Sequence, residues 1–229
     1  MNPELRRSAA HVFVASLEVP VLSQEDSHHL VRVLRLRAGE QVSVGDGAGR
    51  WLMCTFEADG ALVPNGAVAH DSPRAQPLSV GFALAKGDRP EWIVQKLTEI
   101  GIDRILIVDA SRSIVRWDLA KSARNLERLA KVAREAAMQS RRTRLPEIRG
   151  PLPLHTLTGD GVAVAEPGGG ALDHSVSTVL VGPEGGWTDE ELAAGLRRVA
   201  LGPTILRVET AAVVAATRLT ADRDRLPTL

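Results

Sequence analysis

Cysteine occurs once in the 229-residue chain, tyrosine not at all, and only 3% of the residues are aromatic. A lone Cys54 excludes an internal disulfide framework and a multi-cysteine metal site, and no metal ion is expected. Its setting in Trp51-Leu52-Met53-Cys54-Thr55-Phe56 predicts burial in a strand, not a reactive thiol. Net charge is also missing. The 28 Lys and Arg residues balance 28 Asp and Glu residues, so no global positive field draws the chain to a polyanion, and any such surface must be a local basic patch. No apolar run approaches the length of a membrane span, and charges stand where a signal peptide would need its apolar region. A cytoplasmic chain is expected. Neither the glycine fingerprint of dinucleotide binding nor the phosphate-binding Gly-x-x-x-x-Gly-Lys-Ser/Thr is present.

What is there reads as two domains. In residues 1–72, His11 to Val14 forms a short strand, and Ser23 with Asp26 caps a helix with Leu30, Val33 and Leu34 on one face. Val42 to Val44 and Trp51 to Phe56 are strands around the hairpin signal Asp46-Gly47. This is a small β-rich domain with one helix. That helix also carries His28, His29, Arg32, Arg35 and Arg37, with Arg6 and Arg7 upstream. Singly these are ordinary solvated residues; as a cluster they form a candidate phosphate-contact surface. Adjacent histidines point in different directions on a helix and make a poor metal site.

A polar, proline-bearing segment from Asp71 to Pro77 fits a linker. Strand Leu78 to Ala85, a helix opened by Pro90 and closed by Gly101, and strand Arg104 to Val108 then set a rhythm that implies a mostly parallel sheet covered by helices. Arg112 lies just past a strand end, where ligand-facing residues of α/β sheets collect. A long helix from Ser122 to Ser140 turns Leu126, Leu129, Val132, Ala133, Ala136 and Ala137 inward, and the arginines of Arg141-Arg142-Thr143-Arg144 at its end suit phosphate or base contacts. Val162 to Glu166 is a strand and Pro167 to Gly170 a flexible loop; the final helix runs from Glu209 to Asp224, and the tail from Arg223 to Leu229 frays. The small residues of that last helix permit packing against a sheet or against a second subunit, and the sequence leaves both open.

The chain is organised around Val179-Leu180-Val181-Gly182-Pro183-Glu184-Gly185-Gly186-Trp187-Thr188, where a buried strand passes through a glycine turn into a helix with a Thr188-Glu191 capping box. Leu201-Gly202-Pro203 through Leu206-Arg207-Val208-Glu209-Thr210-Ala211 repeats the pattern. Two such turns side by side can enclose a nucleoside-like ligand, although a single glycine turn before a helix is as often only a turn.

These two stretches resemble the paired C-terminal signature of the RsmE-type 16S ribosomal RNA uracil-N3 methyltransferases of the SPOUT superfamily. His28-His29-Leu30 with Val33-Leu34-Arg35, Lys86-Gly87-Asp88-Arg89, Lys96 to Gly101, Glu135-Ala136, Gln139-Ser140 and Leu145-Pro146 extend the resemblance over nearly the whole chain. It implies a PUA-like β-barrel over 1–72 and an α/β domain with a trefoil knot over 73–229. It also implies S-adenosyl-L-methionine as cofactor, 16S ribosomal RNA of the small subunit as partner, methylation at the uracil conventionally numbered 1498, and a homodimer. On that resemblance the donor site comprises Leu180, Gly182, Pro183, Glu184, Gly185, Gly186, Leu201, Gly202, Leu206, Arg207 and Thr210. The RNA contacts are expected from Arg6, Arg7, His29, Arg32, Arg35, Arg141 and Arg144.

Uracil N3 must lose its proton before it attacks a methyl group. An arginine, Arg112 or Arg142, is suited to the charge developing on the ring oxygens, and a carboxylate, Glu184 or Glu209, to the proton. For both glutamates the simpler role is structural, holding the loop by accepting backbone N–H groups. Two other functions stay in view: a non-catalytic RNA-binding assembly factor, against which the intact glycine turns argue, and a small-molecule methyltransferase, which would not need the basic barrel.

Overall fold

A computed structural model describes residues 2–193 and 195–224, so 225–229, most of the tail expected to fray, lie outside the described residues. The chain divides into two compact units. The first is Met1–Arg74 together with Arg134–Leu145; the second is Ala75–Ala133 with Pro146–Leu229.

The first unit opens with helix α1 (Pro3–Arg7), five residues capped by the Asn2 side chain, which sequence periodicity is too short to reveal. Strand β1 (Ala10–Phe13) follows, then α2 (Gln24–His28), whose cap is Ser23 Oγ accepting from Asp26 N at 3.0 Å. Instead of continuing as one helix, the chain passes into a π-helical turn, His29–Val33. Leu30 is fully buried, but Val33 and Leu34 are 60% and 45% exposed, and Arg35 has a φ of 56°. The expected apolar face therefore stops at Leu30, and Arg35 and Arg37 lie beyond the helix instead of on it, because the widened turn breaks the 3.6-residue period.

Strands β2 (Gln41–Gly45), β3 (Arg50–Phe56), β4 (Leu62–Pro64) and β5 (Ala69–His70) complete the first sheet. Its order is β1-β2-β3-β4 with β5 also on β3; β1 runs parallel to β2 and the other pairs are antiparallel. The hairpin at Asp46-Gly47 joins β2 to β3 as expected. One sheet face packs Val42, Val44, Leu52 and Cys54 into a core with Leu30 and Val12. Burial pushes the Cys54 thiol up to about 11, so it stays protonated at neutral pH.

In the second unit β6 (Ser79–Ala83) leads to α3 (Arg89–Ile100), which ends where Gly101, at φ 103°, donates to the carbonyls of Leu97 and Thr98. Next come β7 (Arg104–Asp109) and the 21-residue α4 (Leu119–Gln139), whose last residues belong to the first unit. Then follow β8 (Glu147–Pro153), β9 (Val162–Gly170), β10 (Thr178–Val181), α5 (Asp189–Ala193), β11 (Arg197–Val199) and α6 (Val208–Asp224). The six strands lie in the order β11-β9-β10-β6-β7-β8, and every pair is parallel. Alternation along β7 sends Ile105 and Ile107 to one core, with α3, α4 and α6, and Leu106 and Val108 to the other, with Trp187 and Leu154.

The stretch Pro167 to Gly170, expected as a flexible loop, is instead the end of β9. Gly170 pairs with Val199, and a Cβ on Gly169 would lie 2.7 Å from Val199 N. Glycine stands there because β11 approaches closely, not because the backbone must be loose. Helix α6 buries Ala211, Ala212, Ala215, Ala216 and Leu219 at helical spacing, against α3, β6 and β10 within its own unit.

Candidate functional site

At the carboxyl end of β10 the chain turns sharply. Gly186 has a φ of 69° and its N–H bonds the Pro183 carbonyl at 2.8 Å. Gly182 has no room for a side chain: a Cβ would lie 2.9 Å from the Trp187 ring, which is buried and donates from Nε1 to the Ala165 carbonyl at 3.2 Å. The predicted capping box is formed in both directions. Glu191 N donates to Thr188 Oγ1 at 3.2 Å, and Thr188 N donates to Glu191 Oε2 at 2.7 Å. The other oxygen, Oε1, accepts from Ser111 N at 2.8 Å, so one carboxylate joins the α5 start to the loop after β7. Burial alone would raise the Glu191 pKa, but the N–H donors of Thr188 and Ser111 outweigh it and hold the group below the usual carboxylate range.

That loop carries Arg112. Its Nη1 donates to the carbonyls of Gly185 and Trp187, both at 3.0 Å, and a Cβ on Gly185 would sit 3.3 Å from the Arg112 side chain. Arg112 thus clamps the glycine turn. Beside it, Asp109, Ser111, Arg116, His155, Thr188 and Glu191 line a cleft of about 340 Å³.

The second turn behaves similarly. Leu201 is buried in the core, Leu206 packs against it, and Arg207 and Thr210 are exposed at the start of α6. A Cβ on Gly202, as on Gly186, would meet nothing within 4 Å, so both glycines face open space. Arg89, at the start of α3, links the two turns: its Nη1 lies 2.9 Å from Glu184 Oε1 and its Nε 3.9 Å from Glu209 Oε1. Glu209 Oε2 is buried and has no hydrogen-bond partner among the described residues. Leu180, Gly182 to Gly186, Leu201, Gly202, Leu206, Arg207, Glu209, Thr210 and Arg112 all belong to the second unit. Arg89 and the Ser111 contact were missed by sequence reasoning. Arg89 lies in a quoted motif, but nothing in its spacing names partners 95 and 120 residues away.

The arginine tract after α4 belongs to the first unit. Arg141, at φ 60°, donates to the carbonyls of Met138, Ser8 and Ala9, and Arg144 donates twice to the Asp71 carbonyl at 3.0 and 2.8 Å. Both guanidinium groups hold backbone. The Arg142 carbonyl accepts from His11, which is 2% exposed and whose ring lies against Phe13. Because that carbonyl takes His11 Nε2–H at 3.0 Å, Nδ1 is the acceptor for Ser43 Oγ–H at 2.8 Å. Burial, against the pull of these bonds and with the help of Arg141, lowers the His11 pKa from 6.5 to about 4. Arg6, Arg7, His29, Arg32 and Arg35 are exposed on this unit. Among the described residues no group of three or more His, Cys, Asp or Glu is placed to hold a metal, and no helix is long and apolar enough to cross a membrane.

The second unit is thus a wholly parallel sheet with paired glycine turns at its carboxyl edge, and the first is a separate β-unit. Residues 72–220 match the family model described as an RNA methyltransferase domain, and residues 22–61 the one described as an RNA methyltransferase PUA domain. A ribosomal RNA small subunit methyltransferase E of Mycobacterium bovis is 36% identical over 220 residues, covering 86% of this chain and 84% of the relative. The protein of the same name from Bacillus subtilis is 31% identical, covering 86% and 89%. A methyltransferase structure from Legionella pneumophila, solved with the cofactor SAM bound, superposes with a TM-score of 0.77 at 27% identity, covering 94% of this chain and 98% of that one. The chain belongs to the family of the ribosomal RNA small subunit methyltransferases E.

Proposed function

We propose that the protein transfers a methyl group from S-adenosyl-L-methionine to N3 of a uracil in small-subunit 16S ribosomal RNA, at the position conventionally numbered 1498. Membership of the family carries the reaction class. The observation that carries the site is the pair of glycine turns joined by Arg89, with open space over Gly186 and Gly202. The donor fits this place: the turns present backbone without side chains, and the unpartnered Glu209 Oε2 lies at their edge. Gly182, Pro183, Glu184, Gly185 and Gly186, with Leu180, Leu201, Gly202, Leu206, Arg207 and Thr210, hold the donor, whose sulfonium supplies an electrophilic methyl group.

This chain's own residues do the rest. Glu209 Oε2 accepts the N3 proton; Glu184, ion-paired and exposed, is the weaker candidate. Arg112, which also fixes the turn through its Nη1, is the proposed cation for the ring oxygens, and Arg142 the alternative candidate. Positioning supplies much of the rate, since the reaction needs two aligned centres and no covalent intermediate. The first unit, as a PUA-like barrel, holds RNA through Arg6, Arg7, His29, Arg32 and Arg35; Arg141 and Arg144 support it by holding backbone. The second carries a trefoil knot, and the protein works as a cytoplasmic homodimer without a metal.

The test is primer extension on 16S RNA from cells lacking the gene. Loss of the stop at that uracil, and its return when purified protein and donor are added to those subunits, is the expected result. A stop that persists without the protein defeats the assignment. Light scattering at micromolar concentration tests the dimer.

A further inference from the structure

We infer that the first unit contains a pocket for one unstacked RNA base, separate from the methyl-transfer site; the inference rests on the RNA-modifying reading above. The first sheet has a second face, opposite its apolar core. Period-2 alternation places Gln41 and Ser43 of β2 and Trp51, Met53 and Thr55 of β3 there. Between that face, helix α1 and the segment after β4 lies a hollow of about 370 Å³, at the small end of ligand pockets and of nucleoside size. Trp51 and Met53 give it an apolar floor. Asn65 Nδ2 is spent on Gln41 Oε1 and, at 3.1 Å, on Thr55 Oγ1, which leaves Asn65 Oδ1 as an acceptor without a partner among the described residues. Arg7, exposed on α1, also lines the hollow and makes no ion pair among the described residues. Trp51 Nε1–H is buried without an acceptor among the described residues.

This combination suits single-stranded RNA: an apolar platform for a base plane, an amide oxygen for its edge, and a cation for the adjoining phosphate. Glu4 on the rim is a second acceptor, so a base with an exocyclic amine is favoured over uracil, which makes the pocket a reader of a flanking nucleotide and not a second site for the target. The wall at Gly66 is open: its φ is not in the left-handed region, and a Cβ there would meet nothing within 4 Å.

Gly66→Phe in the full-length chain therefore adds a ring at the wall of the hollow without backbone strain. Fluorescence anisotropy with single-stranded heptanucleotides is expected to show binding by the wild type, tighter for oligocytidylate than oligouridylate. Gly66→Phe should weaken it about tenfold or more, the worth of one stacked base. Arg7→Ala should weaken it less and lower the salt slope by about one. The KM for small subunits should rise in the Gly66→Phe protein while kcat and the donor Kd stay unchanged. No oligonucleotide binding by the wild type, tighter binding of oligouridylate, or an unchanged RNA Kd and KM in a Gly66→Phe protein with wild-type melting and donor affinity each overturn the pocket. Failure of the wild type to bind donor or to methylate subunits would instead overturn the enzymatic reading, so the two failures are distinguishable.

Discussion

In the first unit buried polar side chains bond partners far along the chain, whereas in the second the buried hydroxyls of Thr98 and Ser122 bond backbone carbonyls four residues back. His11, Ser43 and Ser8 form a buried hydrogen-bonded chain, 2.8 and 3.0 Å between successive groups, on the sheet face opposite the apolar core. Asp26, 3% exposed, takes two bonds from Arg134 at 2.7 and 3.1 Å, and the same guanidinium reaches the Phe13 carbonyl. The second unit has apolar side chains on both faces of its sheet and holds its site with contacts made at the edge of β7 and β10. The comparison teaches where each unit is vulnerable. The first depends on a few long-range polar clamps; the second depends on close apolar packing that reaches the glycine turn through Trp187.

The largest expected effect tests the clamps. Arg134→Ala leaves the buried Asp26 carboxylate without its cation and with only the Ser23 hydroxyl as side-chain partner, and should cost about 3–5 kcal/mol of stability by denaturant unfolding. Burial alone would raise the Asp26 pKa, but the bonds from Arg134 and Ser23 outweigh it and hold it below the usual range. That stabilisation is therefore present above the unfolded carboxylate pKa and lost as pH falls through the folded value. An Arg134→Ala protein as stable as wild type would remove the distinction between the units.

Next in size is His11. The unfolded imidazole takes a proton near 6.5 while the folded one resists until about 4, so between these values the unfolded state binds more protons. Stability should be full above pH 6.5 and fall as the pH drops towards 4, by about 3 kcal/mol in all. His11→Gln should flatten this slope. A slope that survives the substitution would place the titrating group elsewhere.

Gly182→Ala probes the second unit. The added Cβ meets the buried Trp187 ring at 2.9 Å, and the overpacking should cost about 1–3 kcal/mol. Its sharper effect should fall on donor affinity, read by calorimetry, because the turn itself must shift. Loss of stability without loss of donor affinity would separate the turn from the donor site.

These differences also set what the sequence reveals. Gly182 to Thr188, the Thr188-Glu191 box, Pro90 and Gly101 were legible because each signal and its structural consequence lie within a few residues. Asp46-Gly47 was legible for the same reason. The π-helical turn at His29–Val33 was not, since it keeps the composition of a helix while shifting its period. Pro167 to Gly170 has the composition of a loop, yet its glycines admit β11, a strand some thirty residues on. Arg141 and Arg144 stand in a basic tract that suggests phosphate contacts, but their guanidinium groups bond carbonyls 133 and 73 residues away. An arginine beside a turn is the same letter whether it meets a ligand or holds the backbone.

The smallest expected effect separates those two uses within the second unit. Both oxygens of Glu191 accept backbone N–H groups, from Thr188 at 2.7 Å and Ser111 at 2.8 Å. Glu191→Gln keeps the shape but turns an NH2 group towards one of these donors, so one bond is lost and a donor faces a donor. The helix cap at Thr188 and the loop at Ser111 cannot both be kept. The stability cost should be about 1–2 kcal/mol. If Arg112 serves through its clamp on Gly185 and Trp187, freeing the neighbouring Ser111 should weaken donor binding several-fold while RNA affinity stays at the wild-type value, because the first unit is untouched. Arg112→Lys, which reaches the turn with a single ammonium instead of a planar fork, should give the same pattern. Should Glu191→Gln leave donor affinity intact and Arg112→Lys lower only kcat, Arg112 acts on the substrate and not on the turn.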